Sequence, residues 1–169
     1  MALLSLTGIE AGNWTLLADS ESPEEGATVI VPLARLQENG ATLFENNPLG
    51  ALVPTDTPFS ALEPLLEKLA FVAITFPAFG DGRGFSLAVR LRKDLGFKGE
   101  IRAEGPVIPD QALFLLRAGF DTVNIEDDTR LPAFEAALGR YKEFYQTDFT
   151  GATSIAHARH AKRSERIAS

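Results

Sequence analysis

The chain has 169 residues, of which 45% are hydrophobic and 23% charged, and these proportions indicate one globular domain rather than a disordered, collagen-like or membrane-spanning protein. A formal net charge of -7 argues against a nucleic-acid partner, because neutralising phosphates requires a basic surface. The absence of cysteine excludes disulfides and thiolate sites and, with no signal peptide or bilayer-spanning segment in the sequence, favours a cytoplasmic location without a membrane partner.

Two segments near the N-terminus predict a β-hairpin. Residues 14–18 and the β-branched run 28–31 have strand character, and an acidic segment over residues 19–26 separates them. We expect the two strands to pair antiparallel around a mobile loop. A short helix should follow over residues 33–38 and end at the Asn-Gly pair 39–40, which suits a left-handed cap.

From about residue 49, short apolar runs alternate with amphipathic stretches, and this pattern predicts four βα units. The predicted strands cover residues 51–53, 71–76, 100–103 and 122–125. The second is apolar on both faces apart from Thr75, which indicates a central strand with helices on each side. The predicted class is therefore α/β with a mostly parallel sheet. An open sandwich is preferred over a partial barrel, although periodicity alone does not separate the two.

The first two helices of these units have recognisable signals. Ser60 and Glu63 match a capping box, in which each side chain satisfies an amide of the first turn. An apolar stripe follows at Leu62, Leu65, Leu66 and Leu69. The second helix is predicted over residues 85–95 because leucines recur there every four residues. These leucines are Leu87, Leu91 and Leu95.

The last two helices are predicted from their ends. The third should open at Pro109-Asp110 and stop at Gly119, since proline suits the first helical turn and glycine the position after the last. The fourth should run over residues 132–145. Its predicted inward-facing residues are Phe134, Leu138, Tyr141 and Tyr145.

Residues 1–150 are predicted to form a single domain, followed by a weakly ordered basic tail over residues 151–169. Both histidines, His157 and His160, lie in this tail, so neither is a natural general base and no metal site is expected from them. With no core histidine, cysteine or Gly-Xaa-Ser-Xaa-Gly elbow, the usual nucleophilic triads are excluded.

The loop after the second strand is the most unusual segment. Three glycines within residues 80–84 let the backbone turn sharply and present its amides at the start of a helix, where anions bind. Arg83 adds a planar donor for phosphate, sulfate or carboxylate, and Ser86 lies in the same helical turn. The candidate anion-binding residues are Gly82, Arg83, Gly84 and Ser86. Alternatively, the glycines only shape a tight turn, Asp81 caps the helix, and Arg83 pairs with the Asp81 carboxylate or with another one. No recognised cofactor motif is present, because the segment matches neither a P-loop nor a dinucleotide fingerprint.

Further polar residues are predicted at the same edge of the sheet, where the parallel strands end. They are Thr55, Asp56, Glu104, Asn124 and Glu126. Grouped carboxylates at such an edge could perform acid–base chemistry or hold Mg²⁺, whereas solvated or capping roles are the alternative for each acid.

Several motifs together resemble one known family. They are Phe76-Pro77, Phe79, and residues 81–86, 99–103, 110–111 and 119–121. On these residues the chain is similar to the bacterial domain-of-unknown-function family 934, whose members are typically encoded beside sulfite reductase. The resemblance implies a role in assimilatory sulfate and sulfite reduction. The chain departs from the family pattern at residues 105–107 and at Pro109, which puts a role for that loop in doubt.

Two functions from different classes are consistent with the resemblance. The first is an accessory protein that binds a partner, sulfite reductase, or a small anion at the strand ends. The second is a small oxidoreductase-like enzyme that acts on a sulfur-containing or phosphorylated substrate. The residues expected to hold that substrate are Asp81, Arg83, Ser86 and Glu104.

Overall fold

The computed structural model describes residues 2–9, 12, 14–17, 22–39, 47–141, 144 and 146–150. The strands are β1 Ala2–Ser5, β2 Thr15–Leu16, β3 Val29–Pro32, β4 Leu49–Pro54, β5 Leu69–Thr75, β6 Glu100–Glu104 and β7 Thr122–Ile125. The α-helices are α1 Leu33–Asn39, α2 Phe59–Leu62, α3 Arg83–Lys93, α4 Ala112–Ala118 and α5 Leu131–Leu138. The strands form one sheet in the order β1-β7-β6-β5-β4-β3-β2, in which every neighbouring pair is parallel except β1 with β7.

The four predicted βα units are confirmed by β4 to β7 and the helices that follow them. Strand β5 is the middle strand of the sheet, and its residues Phe71 to Ile74 are fully buried. Helix α3 follows it and buries Leu87 and Leu91, as the leucine spacing predicted. The chain therefore has the expected α/β class with a mostly parallel sheet.

The two faces of the sheet are covered differently. One face packs against the helices, and each of the five α-helices named above contributes buried residues to this main core, which contains Leu91 of α3 together with Val72 of β5. The other face, called the inner face below, has a smaller cluster formed by Ile30, Phe71 and Ala73 with Trp14 and Leu52.

The sheet curls into a half-barrel, so the partial barrel is the architecture found, rather than the preferred open sandwich. Within the described residues no helix contributes to the inner-face cluster on β5, so the expectation of helices on both sides of this strand is not met there. On the inner face, the Trp14 ring stacks on Phe71 with 4.7 Å between centroids, and the Arg102 guanidinium lies 4.7 Å from the same ring. An aromatic ring and an amphipathic arginine bury this side of the strand, and no second helix layer is needed.

The predicted N-terminal hairpin is wrong, although its two segments are neighbours. Strand β2 pairs with β3 in parallel, with Thr15 beside Val29 and Leu16 beside Ile30. This direction places Trp14 on Phe71 and buries Leu17 in the main core. The burial of these large side chains on opposite faces takes precedence over the shorter hairpin connection.

The α-helix that follows β4 is shorter than predicted. Helix α2 has four residues, its N-cap is Pro58 without a side-chain hydrogen bond, and a 3-10 helix Glu63–Lys68 continues it. The Ser60–Glu63 capping box is therefore wrong, and Leu69 belongs to β5. Pro64, whose ring disfavours a continuing α-helix, lies at the change from α to 3-10 geometry.

The other helix predictions have mixed outcomes. Helix α1 is confirmed, while Gly40 lies outside the described residues. A 3-10 turn Pro109–Gln111 leads into α4, which ends at left-handed Gly119 as predicted. The fourth helix is wrong at its end, because α5 stops at Leu138 with Gly139 as C-cap.

The remaining expectations concern exposure and order. Tyr141, predicted to face inward, is 61% exposed because α5 ends before it, and Tyr145 lies outside the described residues. The described residues also exclude the tail 151–169, which contains both histidines, and part of the acidic segment 19–26. The boundary between domain and tail therefore stays a prediction. Across the described part of the chain, none of the helices has the length and apolar character to span a membrane.

Candidate functional site

The rim of the half-barrel, where strands β3 to β7 end, contains the glycine-rich loop singled out in the sequence. Strand β5 ends at Thr75 and α3 begins at Arg83, so the loop and the first helical turn belong to this rim. Gly82 is the N-cap residue and offers no side chain, but the Asp81 carboxylate accepts a hydrogen bond from the first helical N–H, that of Arg83, as the alternative of a capping Asp81 anticipated. The helix-start geometry that the sequence predicted is therefore present.

The Asp81 carboxylate joins two loops of the rim. It accepts hydrogen bonds from the Thr55 hydroxyl at 2.7 Å and from the backbone N–H of Arg83 at 3.0 Å. The Arg83 side chain also donates to it, through Nε at 3.0 Å and Nη2 at 2.7 Å. The bonds from Arg83 and then from Thr55 hold the pKa of Asp81 well below its usual range. Asp81 is thus an ionised clamp between the loop after β4 and the start of α3, and it is unsuited to act as a general base.

Arg83 is held at one edge of its guanidinium and accessible at the other. Asp81 contacts Nε and Nη2, whereas Nη1 faces the Asp56 carboxylate at 4.0 Å. The side chains of Arg83 and Asp56 are 59% and 65% exposed. The ion pair anticipated in the structural alternative is present, and the predicted anion site stays a prediction. An incoming anion can reach Nη1 if the exposed Asp56 side chain turns away.

The two glycines around Arg83 have different surroundings. Gly84 is buried, and a Cβ at this position would lie 2.5 Å from Phe76 Cζ and 3.0 Å from Thr55 Cγ2. A Cβ at Gly82 would meet nothing within 4 Å. Gly84 therefore permits close packing of α3 against the end of β5, and Gly82 is the glycine whose surroundings leave room for a ligand.

A cavity of about 590 Å³, called the rim cavity below, opens at the ends of β3, β4 and β5. Its apolar lining residues are Pro32, Leu33, Ala34, Leu52, Pro54 and Pro77. Its polar lining residues are Thr55, Asp56, Thr75 and Arg83. A mostly apolar wall with a few polar groups is typical of sites for small organic molecules.

Glu104 lies on the inner face at the end of β6, beside Thr75 of β5. Its Oε2 accepts a hydrogen bond of 2.8 Å from the Asn124 amide. Burial raises the pKa of Glu104, while the Asn124 bond and the charge of Arg102 act in the opposite direction. The sequence-predicted residues therefore do not form one cluster. Ser86 is exposed on α3, and Glu126 is exposed after β7.

Comparison with known proteins adds one finding. The family model described as a bacterial protein of unknown function (DUF934) matches residues 50–156. The chain belongs to the DUF934 family. The match begins in β4 and extends past α5, so it includes Asp56, Asp81, Arg83 and Glu104. No curated protein matches the chain.

Backbone conformation explains the glycine at position 105, in the loop after β6. Gly105 has φ +98°, and a Cβ there would collide with the carbonyl oxygen of Phe76. An L-amino acid with a side chain would be strained at this position. The loop after β6 is thus shaped by packing against the end of β5.

Sequence reasoning missed two features of the inner face of the sheet. Arg102 is buried and donates to Glu100 Oε1 at 2.8 Å, to the Thr122 hydroxyl at 3.2 Å and to the carbonyl of Gly12 at 3.0 Å. The signal was the alternation of charged residues at 100, 102 and 104, which is the period of a two-faced strand. The second feature is Thr75, the one polar residue in an apolar run, which lines the rim cavity and whose hydroxyl oxygen is buried.

Proposed function

We propose that this protein is a cytoplasmic accessory protein of assimilatory sulfite reduction that binds a small anionic ligand in the rim cavity. The observation that carries the proposal is the convergence of Arg83, Thr55, Asp56 and Thr75 on one cavity of about 590 Å³. This volume is within the range of about 300–1,000 Å³ found for small-molecule sites. The link to sulfite reduction is supported by the family resemblance.

The contacts at the rim favour binding over catalysis. Asp81 is ionised and accepts several hydrogen bonds, so it fixes Arg83 in place. Arg83 lines the cavity, its Nη1 faces only the exposed Asp56 side chain at 4.0 Å, and a fixed guanidinium recognises an oxyanion at low entropic cost.

A second candidate function is a small enzyme that acts on a sulfur-containing or phosphorylated substrate. The observation that favours it is Glu104, a half-buried carboxyl beside Thr75, because burial raises the pKa of Glu104 toward the range useful for proton transfer.

A thermal-shift screen tests the binding proposal. Sulfite, sulfate, adenylylated sulfate and NADPH are added separately to the wild-type protein, because a ligand that binds only the folded state raises its stability by RT ln(1 + [L]/Kd). We expect at least one of these anions to raise the Tm, and Arg83→Ala to remove most of that shift. Arg90→Ala is the matched control, since Arg90 is on the same helix, is 54% exposed and also pairs with an aspartate, Asp94. Equal protection of wild type and Arg83→Ala by the same anion would falsify the role of Arg83.

The partner proposal has its own support and its own test. Phe114 of α4 is 66% exposed and stands between two grooves of about 460 and 370 Å³. Exposed aromatic side chains beside grooves are common in protein interfaces. We expect the wild-type protein to copurify with sulfite reductase and Phe114→Ser to weaken this association. Phe79→Ser is the control, since Phe79 is 61% exposed and belongs to the rim loop. Failure of wild type and purified sulfite reductase to associate would rule out this partner.

A further inference from the structure

The hydroxyl of Thr75 is buried without a hydrogen-bond partner within the part of the chain that the structure describes. Thr75 is the last residue of β5 and lines the rim cavity. A buried hydroxyl without a partner costs free energy, and such groups require an explanation in a native structure. The location of Thr75 at a cavity suggests that its missing partner is a ligand.

Glu104 continues the same polar row onto the next strand. The register aligns Pro54, Thr75 and Glu104 across β4, β5 and β6, which places their side chains on the same face. Asn124 orients the Glu104 carboxyl through Oε2. The charged neighbours on the same strand are Arg102 and Glu100, and Arg102 is already bound to Glu100.

The chemistry of this row selects a class of ligand. A carboxylate accepts hydrogen bonds, and a threonine hydroxyl both donates and accepts them, so the pair complements neighbouring hydroxyl groups. An oxyanion beside Glu104 would be repelled, whereas Arg83, which lines the rim cavity, supplies a cation. Glu104 does not itself line this cavity but lies beside the lining residue Thr75 on the next strand. Leu52 and Pro54 supply an apolar wall for a carbon skeleton.

We propose that Thr75 and Glu104 bind the hydroxyl groups of an organic anion whose charged group lies at Arg83. This inference rests on the proposed function, because it assigns the ligand class of the same cavity. A hydroxylated organic anion, such as a sugar phosphate, uses both the cation and the polar row. A bare sulfate or sulfite ion uses the cation only and leaves most of the cavity empty.

Binding measurements with four probes test the assignment. Calorimetric titrations of the full chain use ribose 5-phosphate, glycerol 3-phosphate, 2-deoxyribose 5-phosphate and inorganic phosphate. We expect at least one hydroxylated probe to bind roughly tenfold more tightly than inorganic phosphate, which corresponds to about one charge-assisted hydrogen bond. Ribose 5-phosphate should also bind more tightly than its deoxy analogue if its 2-hydroxyl contacts Glu104.

Two conservative variants separate recognition from folding. Glu104→Gln and Thr75→Val should bind the hydroxylated probes no more tightly than inorganic phosphate, while their response to inorganic phosphate is kept. Thr75→Val should also retain or raise the Tm of the ligand-free protein, because it removes an unpartnered hydroxyl. Thr122→Val is the contrast, since the Thr122 hydroxyl donates to Glu100 at 2.7 Å and its loss should lower the Tm.

The outcomes distinguish this inference from the proposed function. If inorganic phosphate or sulfate binds but no hydroxylated probe binds more tightly, the ligand class is wrong and the anion site stands. If neither the hydroxylated nor the inorganic anions bind, the proposed function fails together with it. A Tm loss in Thr75→Val as large as that in Thr122→Val would show that the Thr75 hydroxyl has a structural partner, which also overturns the inference.

Discussion

Helix α3 has an arginine–aspartate pair at each end, and the two pairs differ in how their arginines are used. At the rim, Arg83 is 59% exposed and bonds to Asp81 through one edge of its guanidinium. At the opposite end, Arg92 bonds to Asp121, and these side chains are only 10% and 18% exposed. Arg92 also donates to the carbonyl oxygens of Phe97, Gly99 and Gly119.

The difference distinguishes an ion pair that stabilises the fold from one whose arginine can bind a ligand. Arg92 directs its donors to protein acceptors, and Asp121 also accepts from the backbone N–H of Ile101, so this pair joins α3 to the starts of β6 and β7. Arg83 keeps Nη1 at the rim cavity. In folds built from βα units, residues at the carboxyl ends of the strands serve function and those at the opposite end serve stability.

The largest effect is expected from the buried pair. Arg92→Ala should lower the free energy of unfolding by about 3–5 kcal/mol, because it leaves Asp121 charged and partly buried without its cation. Urea denaturation measures this loss. The exposed Arg90→Ala variant should change the same quantity by less than about 1 kcal/mol. Arg83→Ala should lie between these two variants, because Asp81 is only 11% exposed but keeps the hydrogen bonds from Thr55 and from the backbone N–H of residue 83. A loss as large as that in Arg92→Ala would remove the distinction between the two ends of α3.

A smaller effect should separate the two glycines of the rim. Gly84→Ala should cost about 1–3 kcal/mol, because the added Cβ overpacks Phe76 and Thr55. Gly82→Ala should leave stability unchanged or slightly higher, since its φ of -79° suits alanine and nothing lies within 4 Å of the new Cβ. Thermal unfolding of the two variants decides the question, and equal losses would contradict the assignment of only Gly84 to packing.

The smallest effect is a pH dependence from Glu104. Its pKa in the folded protein is raised above the ordinary value of 4.5, chiefly by burial. Between these two pKa values the folded state binds the proton that the unfolded state has lost, so the contribution of Glu104 to stability falls as the pH rises. The stability of wild type relative to Glu104→Gln should therefore decrease on going from about pH 4 to about pH 7.

The pH dependence of stability expected from Asp81 has the opposite sign to that expected from Glu104. Hydrogen bonds from Arg83 and Thr55 lower the pKa of Asp81, so its contribution is present above the unfolded-state pKa and is lost as the pH falls toward the folded-state value. The stability of wild type relative to Asp81→Asn should thus decrease on acidification. If both comparisons had the same sign, the electrostatic description of the rim and inner face would be wrong.

The parts of the fold that were predictable depend on local patterns. The apolar run at 71–76 and the leucine spacing in α3 located the central βα unit, because burial and helical period both appear as patterns among residues close together in the sequence. The direction of β2 could not be read in this way. It depends on Trp14 reaching Phe71, a contact between residues far apart in the chain, and two exposed strand residues carry little information about pairing.

The same reasoning explains what was predicted of the site. Glycines followed by a helix located Arg83 at the rim, and the strand ends placed Glu104 at the same edge. The sequence left open whether Arg83 pairs with Asp81 or with another carboxylate, and it could not place Thr75 at the cavity, because these depend on side-chain directions across loops. It also could not reveal that Gly84 is required for packing, since a glycine that binds and a glycine that packs are identical in sequence.

The antiparallel pairing of β1 with β7 has a consequence for the order of assembly. Ser5 lies opposite Thr122, so this contact closes a loop that contains the rest of the sheet. Closing so long a loop costs conformational entropy, and the ladder that must offset this cost has only four residues in β1. The parallel strands in the middle of the sheet, whose partners are close in sequence, provide the surface on which β1 can find its register. We therefore expect folding to proceed from the central βα units outward, with the edge formed by β1 as the last part of the sheet to become fixed.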